Sequence, residues 1–418
     1  MSEATPSAPP RATPFTSYQK RLFLFLSVAS FFDGYDLIAI TQILPNLRAD
    51  FGLSKAAGGM LVAGVNLGAV AAWLLVRRAD RWGRRRLLSI TIAGYTLFTV
   101  ASGLAPDALS FGIAQFLARL FLLAEWAVAM VIAAEEFPAD RRGMVIGLIQ
   151  AFSSLGAVLC AGLAPSLLAT AFGWRTVYFV GVIPLLLLAW ARRGLRETRR
   201  FSEQVASEGA VAPRRLTAIW RSPYARRVLL MGVIWMLIYA CTQNAITFWK
   251  EFAVAERGLS DAQVGTSISI AALAAMPLVF FAGKLLDWIG RRPGAVVIFG
   301  VTSLGVFGCY SLHAQWALTV ALALGVFGAT AVLPVLSAFN TELFPTTLRG
   351  DAMGWANNGI GRIGHVLSPA LLGIAAETFG WGAAVRSTAI LPLLAVALVV
   401  LYLPETAGKE LEETAALD

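Results

Sequence analysis

The chain alternates between long apolar segments and short polar breaks over almost its whole length. A helix that crosses the hydrocarbon core of a membrane needs about 20 mostly apolar residues, and these segments are of that length. The pattern predicts an all-α membrane protein with twelve spans, at residues 21–46, 56–79, 87–104, 109–134, 144–170, 174–193, 225–250, 262–286, 293–312, 315–341, 351–377 and 382–403.

Composition and charge placement agree with a membrane protein. Of the 418 residues, 57% are hydrophobic and only 14% are charged, whereas about 25% charged residues are usual in soluble proteins. The net charge is +9, and 26 of the 34 Lys and Arg residues lie on the side of the spans that holds both termini. Because cytoplasmic loops carry the excess of Lys and Arg, both termini are predicted to be cytoplasmic. The basic excess therefore reflects topology, and we expect no nucleic-acid partner.

Polar segments divide the chain into two bundles and their connections. Residues 1–20 are rich in Pro, Ser, Thr and Ala and are predicted to form a disordered cytoplasmic tail. Two six-helix bundles are expected at 21–193 and 225–403, joined by a charged cytoplasmic linker at 194–224. Residues 404–418 are expected to form a second cytoplasmic tail.

Short motifs near the ends of the spans repeat at an offset of 207 residues. DRWGRR at 80–85 recurs as DWIGRR at 287–292, EEFP at 135–138 recurs as ELFP at 342–345, and GW at 173–174 recurs at 380–381. Because six spans is an even number, the repeat predicts two homologous halves in the same orientation.

The acids and arginines of these motifs suggest an ion-pair latch. An acid at a helix end, a glycine turn and two arginines that face a glutamate of a neighbouring helix can stabilise one conformation and must separate in another. Alternatively, the arginines only fix topology. The candidate latch residues are Asp80, Arg84, Arg85, Glu136 and Arg142 in the first half and Asp287, Arg291, Arg292, Glu342 and Arg349 in the second.

Two such halves, with DRWGRR after the second span, GKLLDWIGRR after the eighth and ELFPTTLRG after the tenth, resemble the major facilitator superfamily. The resemblance covers essentially the whole chain. It implies two pseudo-symmetric six-helix bundles, the major facilitator fold, that move a substrate by alternating access.

Acidic residues interrupt two of the predicted spans. Asp33 and Asp36 lie near the middle of the first span, three residues apart and so on one helix face, and Glu125 lies near the middle of the fourth. Gly34 between the aspartates would permit close helix approach or local unwinding. Since two close carboxylates in a low dielectric do not both ionise easily, these three acids are candidates to carry a proton. The alternative is a helix cap or a permanent pair with an arginine.

Two arginines also lie within spans, Arg119 in the fourth and Arg362 in the eleventh. We expect Arg119 to be the counter-ion of the aspartates or to bind substrate, unless it only packs. Arg362 is a candidate ligand for a carboxylate, which a guanidinium holds through two parallel hydrogen bonds; alternatively, it binds backbone carbonyls near Gly359 and Gly361. Further candidates for substrate contact are polar or aromatic residues of the spans: Tyr35, Gln243, Asn244, Asn357 and His365.

The motif DGYD in the first span, the arginine of the fourth and NNGIGRIG in the eleventh look like those of aromatic acid:proton symporters and related organic-ion transporters. The resemblance implies that Asp33, Asp36, Arg119 and Arg362 take part in transport. It points to uptake of a small organic anion, an aromatic or other carboxylic acid, together with protons. QNAITFW at 243–249 and PETAGKELEE at 404–413 are instead similar to sugar transporters, so a sugar or polyol:proton symporter is the alternative, ahead of a drug exporter.

Enzyme chemistry is not indicated. The chain has two histidines and no HExxH, GxSxG or nucleotide-binding loop, and its three cysteines lie in spans without metal-ligand spacing. We therefore expect no catalytic residue, metal or cofactor, and no ATP-driven transport. The expected partners are an organic anion, protons and the lipid of a bacterial inner membrane, with the chain monomeric; a receptor of the same fold is the remaining alternative.

Overall fold

The computed structural model describes residues 15–78, 82–138, 141–180, 196–197, 217–345, 347–409 and 414. We number the main helices by the predicted span to which each corresponds. Those of the first half are α1 (Ser17–Asp50), α2 (Lys55–Val76), α3 (Arg84–Gly103), α4 (Ala108–Glu136), α5 (Arg142–Leu168) and α6 (Arg175–Phe179).

The main helices of the second half are α7 (Ala225–Thr247), α8 (Asp261–Ile289), α9 (Arg291–Cys309), α10 (Gln315–Glu342), α11 (Arg362–Ser387) and α12 (Ile390–Tyr402). Shorter helices flank two of them. A 3-10 turn (Ala218–Arg221) precedes α7 and a short helix (Trp249–Ala255) follows it; a helix (Arg349–Met353) and a π-helix (Gly354–Gly361) lead into α11.

The helices are suited to a membrane. Among the described residues, eight helices are long and apolar enough to cross it, or nine if the two arms of α8, bent by 40°, count as one span. The bend follows Pro277, in keeping with the usual cause of a helix kink. Many large apolar side chains are exposed, such as Leu97, Leu371 and Leu401, which lipid would cover.

The eleventh and twelfth predicted spans are two arms of one helical stretch. From Arg349 to Tyr402 it has 54 residues, too many for a single crossing. The chain turns at Gly380, with φ 80° and ψ 164°. Beyond the turn, the Glu256 carboxylate accepts the N–H groups of Trp381 and Gly382 and thereby caps the second arm.

Some boundaries differ from the predicted ones. α1 begins at Ser17, within the segment 1–20 that we expected to be disordered, because Thr16 and Gln19 cap its first turn reciprocally. Residues 1–14, the sixth span beyond residue 180, most of the linker 194–224 and part of the tail 404–418 lie outside the described residues.

Helix packing follows the two halves. In the first half α1 packs on α5, and α4 packs on both α2 and α3. In the second half α10 packs on both α8 and α9, and α7 packs on α11. Two pairs, α2 with α11 and α5 with α8, join the halves. We call the end of the bundles where α1 ends and α2 begins the outer end, and the opposite end the inner end.

Candidate functional site

The acidic residues predicted within the spans lie where α1 faces α4. Asp33 and Asp36 are each 3% exposed and Glu125 is 1% exposed. The carboxyl groups of Asp33 and Glu125 lie close enough to interact electrostatically, and both oxygens of Asp33 and Oε1 of Glu125 are buried without a hydrogen-bond partner among the described residues. Since two neighbouring carboxylates do not both ionise easily in a low dielectric, this pair is a candidate to hold a proton.

Glycines bring α1 close to α5 at the level of these acids. A Cβ on Gly34 would overlap the carbonyl of Ser153, and one on Gly156 would overlap the carbonyl of Phe31. α1 continues as a helix through Gly34. Of the two roles expected for Gly34, the structure thus shows close approach and not local unwinding.

Arg119 of α4 lies within electrostatic range of both an acid of α1 and an arginine of the second half. It interacts electrostatically with Asp36 and, as a like charge, with Arg362 of α11. It is 6% exposed, and its Nε has no hydrogen-bond partner among the described residues. Of the two aspartates for which we expected Arg119 to be the counter-ion, Asp36 interacts with it, while Asp33 lies against Glu125.

Arg362 follows directly on the π-helix Gly354–Gly361, a rare conformation that is frequent at functional sites. Its Nη1 donates to Nδ1 of His365 at 2.8 Å. Because a guanidinium has only donors, this contact assigns the proton of a neutral His365 to Nε2. The Nε of Arg362 has no partner within the described part of the chain.

Aromatic residues of α7 flank this arginine. The Arg362 Cζ lies 5.0 Å from the centroid of the Tyr239 ring, and the Tyr239 hydroxyl donates to Oδ1 of Asn357 at 2.8 Å. The rings of Trp235 and His365 are 5.1 and 5.9 Å from that of Tyr239. Arg362, His365 and Asn357 are thus brought together beside the aromatic surface of Tyr239 and Trp235.

Other predicted substrate contacts are used within the protein. The Tyr35 hydroxyl donates to the Val177 carbonyl at 3.1 Å, inside an apolar cluster between α1 and α6. The Asn244 amide donates to Ser368 at 2.6 Å and so ties α7 to α11. In this structure both side chains are engaged within the protein, and their contact with a substrate stays a prediction. Gln243 is half-buried and makes no side-chain hydrogen bond with a described residue.

At the inner end of the second half, the predicted latch residues form a cluster. Arg291 pairs with Asp287 at 2.6 Å and with Glu342 at 3.0 Å. The backbone N–H groups of Arg291 and Arg292 donate to the Glu405 carboxylate at 2.8 and 2.9 Å. Glu405 therefore caps the amino end of α9.

Gly290 makes this cap possible. Its φ of 97° is a conformation that glycine adopts without penalty. A Cβ at this position would lie 2.9 Å from Oε2 of Glu405. The turn between α8 and α9 and the docking of the glutamate therefore depend on the same glycine.

The first half repeats the arrangement. The EEFP motif offers either Glu135 or Glu136 to the latch, and Arg84 pairs with Glu135 at 3.3 Å, while the backbone carbonyl of Glu136 accepts from Gln19. Successive helix residues are about 100° apart, so neighbouring glutamates face different surroundings. The backbone N–H groups of Arg84 and Arg85 donate to Glu197 at 2.9 and 3.2 Å.

The remaining latch residues contribute less. Asp80 lies outside the described residues. The backbone N–H groups of Arg142 and Arg349 donate to the carbonyls of Pro138 and Pro345, and the Nε of each arginine has no partner in the described residues. The described latch pairs join neighbouring helices of one half.

Sequence reasoning missed the two capping glutamates. A signal was present, because Glu-Thr occurs at 197–198 and at 405–406, an offset of 208, one residue from that of the repeat. In the second copy, the Thr406 hydroxyl also donates to Glu342, which extends the cluster.

Contacts between the halves at the outer end were also not predicted. Arg48 of α1 pairs with Glu251 at 2.8 Å. Lys250, only 1% exposed, donates to the Gln42 carbonyl at 2.7 Å and pairs with Asp261 at 2.6 Å. Arg48 and Lys250 thus both link the first half to the second.

Comparisons with known proteins match the architecture. The family model for the Major Facilitator Superfamily matches residues 26–369 and 239–417. A cis,cis-muconate transport protein of Acinetobacter baylyi is 28% identical over 371 residues, which cover 86% of this chain and 88% of that protein. A gallate transporter of Pseudomonas putida is 26% identical over 424 residues, with 93% and 92% covered.

Solved structures share the fold. The inward-open xylose transporter XylE from E. coli superposes with a TM-score of 0.77 at 19% identity, with 94% of this chain and 98% of that one covered. The predicted two-bundle, twelve-helix fold is confirmed, as is the expectation of a multi-pass membrane transporter rather than an enzyme. The chain belongs to the Major Facilitator Superfamily.

Proposed function

We propose that this protein takes up a small organic anion, an aromatic or other carboxylic acid, together with protons by alternating access. The observation that carries the proposal is one arginine from each half, the buried Arg119 and the half-buried Arg362, within electrostatic range of each other. Arg119 and Arg362 interact as like charges, and each has an Nε without a hydrogen-bond partner among the described residues.

A carboxylate between the two arginines would accept these N–H groups and offset the repulsion between the guanidiniums. Since each half supplies one arginine, the anion would contact both bundles, as alternating access about a midplane site requires. A neutral sugar would not offset the repulsion. The PETAGK segment, which suggested a sugar transporter, holds the cap of α9 through Glu405.

The aromatic flank and the relatives support a planar acid. Tyr239 lies beside Arg362, and similar proteins are named as transporters of muconate and gallate. We therefore infer that a conjugated or aromatic carboxylate binds with its charge on the arginines and its flat part on the Tyr239 side.

Proton coupling is supported by the three buried acids. A net charge in the membrane interior is costly, so an anion that enters the site is expected to bring a proton. Asp33, Asp36 and Glu125 offer places for it. Release of anion and proton at the inner end would then complete uptake.

We also propose that both termini are cytoplasmic in a bacterial inner membrane, that the outer end faces the outside, and that the chain acts as a monomer. The placement of Lys and Arg supports this orientation. The bundle borders at 21–193 and 225–403, with the linker 194–224 between them, remain part of the proposal.

Uptake by purified protein in proteoliposomes tests the function, with cis,cis-muconate, gallate, benzoate and xylose as probes. Arg362→Ala is expected to lower kcat/KM for the acids about 100-fold, because it removes a charged partner from a desolvated site. Its thermal unfolding in detergent should match that of the parent. Arg386→Ala is the matched control, since Arg386 is exposed over the Phe307 ring.

Unchanged acid uptake by Arg362→Ala would refute the site, and accumulation of xylose but of none of the acids would favour the sugar alternative. Binding of an acid by the parent without accumulation would indicate a receptor.

A further inference from the structure

A side chain of α2 crosses to the second half at the level of the two arginines. Asn66 Nδ2 donates to the backbone carbonyl of His365 at 3.0 Å, and both residues are buried, with 5% and 8% exposed. α2 belongs to the first half and α11 to the second, so this bond joins the bundles inside the membrane.

The His365 carbonyl needs this donor because of a proline. In an α-helix, the carbonyl of residue i accepts the N–H of residue i+4. Four residues after His365 stands Pro369, which has no N–H. A buried carbonyl without a hydrogen-bond donor is costly. Asn66 of the first half supplies the donor that α11 itself lacks.

The same two helices are in close contact from this bond to the outer end. A Cβ on Gly373 would lie 2.7 Å from the Lys55 carbonyl oxygen and 3.0 Å from the Gly59 Cα. Lys55 Nζ donates to the Ala376 carbonyl at 3.1 Å, and the Ala56 N–H donates to Glu377 at 2.9 Å. We call this contact, from Asn66 and His365 to Lys55 and Glu377, the outer seam.

His365 belongs to the seam and to the arginine site at once. Its carbonyl meets Asn66, and its ring accepts from Arg362. In an alternating-access cycle, α2 and α11 must part at the outer end, and the Asn66 bond must then break.

We propose that Asn66 is a positioning residue that holds the outer seam closed beside the substrate arginine. It does so by donating to the carbonyl that Pro369 leaves without a donor, and we call this bond the lock. The proposal rests on the proposed function only for the role of Arg362. Loss of the bond favours the state that is open at the outer end. It leaves the arginines and acids of the site in place.

Cysteine labelling tests the lock without any substrate. Val62 of α2 is 2% exposed and shares an apolar cluster with Leu372 and Ala376 of α11, so Val62→Cys in nanodiscs reports seam opening by its rate of reaction with a polar maleimide. The parent chain, whose three cysteines are buried, gives the blank. Asn66→Ala is expected to raise the rate about fivefold, the equivalent of one net hydrogen bond.

The matched control is Asn340→Ala. Asn340 is also buried, and its amide donates at 3.0 Å to Leu336 of its own helix. The control loses the same chemical group without a bond between the halves and should label at the parental rate.

Pro369→Ala separates the lock from general loosening. It returns an N–H to α11 that competes with Asn66 for the His365 carbonyl, so it should also raise the rate. Since both changes remove one bond, the double variant should label no faster than either single variant. In uptake assays, Asn66→Ala should lower the external KM, because more of the protein faces outward.

A parental labelling rate for Asn66→Ala would overturn the proposal. So would a double variant whose labelling rate rises by the product of the two single increases. If labelling behaves as expected and no acid is transported, the proposed function fails while the lock stands.

Discussion

At the residue scale, the site combines three buried acids, Asp33, Asp36 and Glu125, with the guanidinium groups of Arg119 and Arg362. Under the proposed function, an organic anion adds one negative charge to this set, and one proton taken up by an acid would offset it.

Asp36→Asn tests the proton at this scale. A pH gradient of one unit drives about tenfold accumulation when one proton accompanies each anion. The variant is expected to lose this accumulation but to keep exchange of labelled for unlabelled acid, because its arginines remain. Separate assays of pH-driven uptake and of acid exchange in proteoliposomes measure these two activities. Accumulation that survives in Asp33→Asn, Asp36→Asn and Glu125→Gln alike would disprove the coupling scheme.

The site residues were recognisable in the sequence because an ionisable group within an apolar segment stands out, but their partners were not. The spacing of Asp33 and Asp36 places both on one face of α1. Which acid meets Glu125 and which meets Arg119 depends on how α1 is rotated against α4. That rotation is set by contacts of Gly34 and Gly156 with backbone of distant sequence.

At the element scale, a glutamate after the last span of each half caps the third helix of that half. Partial burial of Glu405 would raise its pKa, but the N–H groups of Ala407, Arg292, Arg291 and Thr406 outweigh this and hold the pKa below its ordinary value of 4.5. The carboxylate thus stabilises the inner end in its ionised form. In the first half, Glu197 accepts from the amino end of α3.

Glu405→Gln is expected to lower the midpoint of thermal unfolding by about 3 °C at pH 7, since loss of a helix cap costs about 1 kcal/mol. An acid with a lowered folded-state pKa stabilises fully above its unfolded value and loses this contribution as the pH falls through the folded value. The difference between parent and variant should therefore persist down to about pH 4.5 and vanish in stronger acid.

Scanning fluorimetry in detergent from pH 3 to pH 8 measures this difference. Asp351→Asn removes a carboxylate near the inner end for which no hydrogen bond to a described N–H is observed, and it serves as the control. A difference between parent and Glu405→Gln that stays constant across the range would exclude a role for the charge.

At the scale of the whole molecule, the halves are joined at the outer end by Arg48–Glu251, by Lys250 and by the outer seam. The repeat at 207 predicted two like halves, because each copy keeps its own inner-end motif. It did not predict the contacts between the halves. These pair residues of one copy with non-equivalent residues of the other, and no internal repeat encodes them.

A charge exchange tests the closure of the outer end. Arg48→Glu should oppose two negative charges and favour the outward-open state by about 3 kcal/mol, on the order of 100-fold. Glu251→Arg should act alike, and the double exchange should restore closure. Spin labels at Ala49 and Ala255, both exposed, report the distance across this end.

Arg175→Glu is the matched control, because the Arg175–Asp50 pair, 2.9 Å long, joins helices of the first half alone. Failure of the double exchange to restore the parental distance would show that the pair does not close the outer end.

The glycine contact of the outer seam has a consequence for the speed of the cycle. Where Gly373 meets Gly59 and Lys55, the two backbones approach each other closely. Backbone contacts at these glycines can separate and re-form without a change of side-chain rotamer. The barrier to reorientation is then concentrated in a few polar bonds, and turnover becomes adjustable by exchange of single residues such as Asn66.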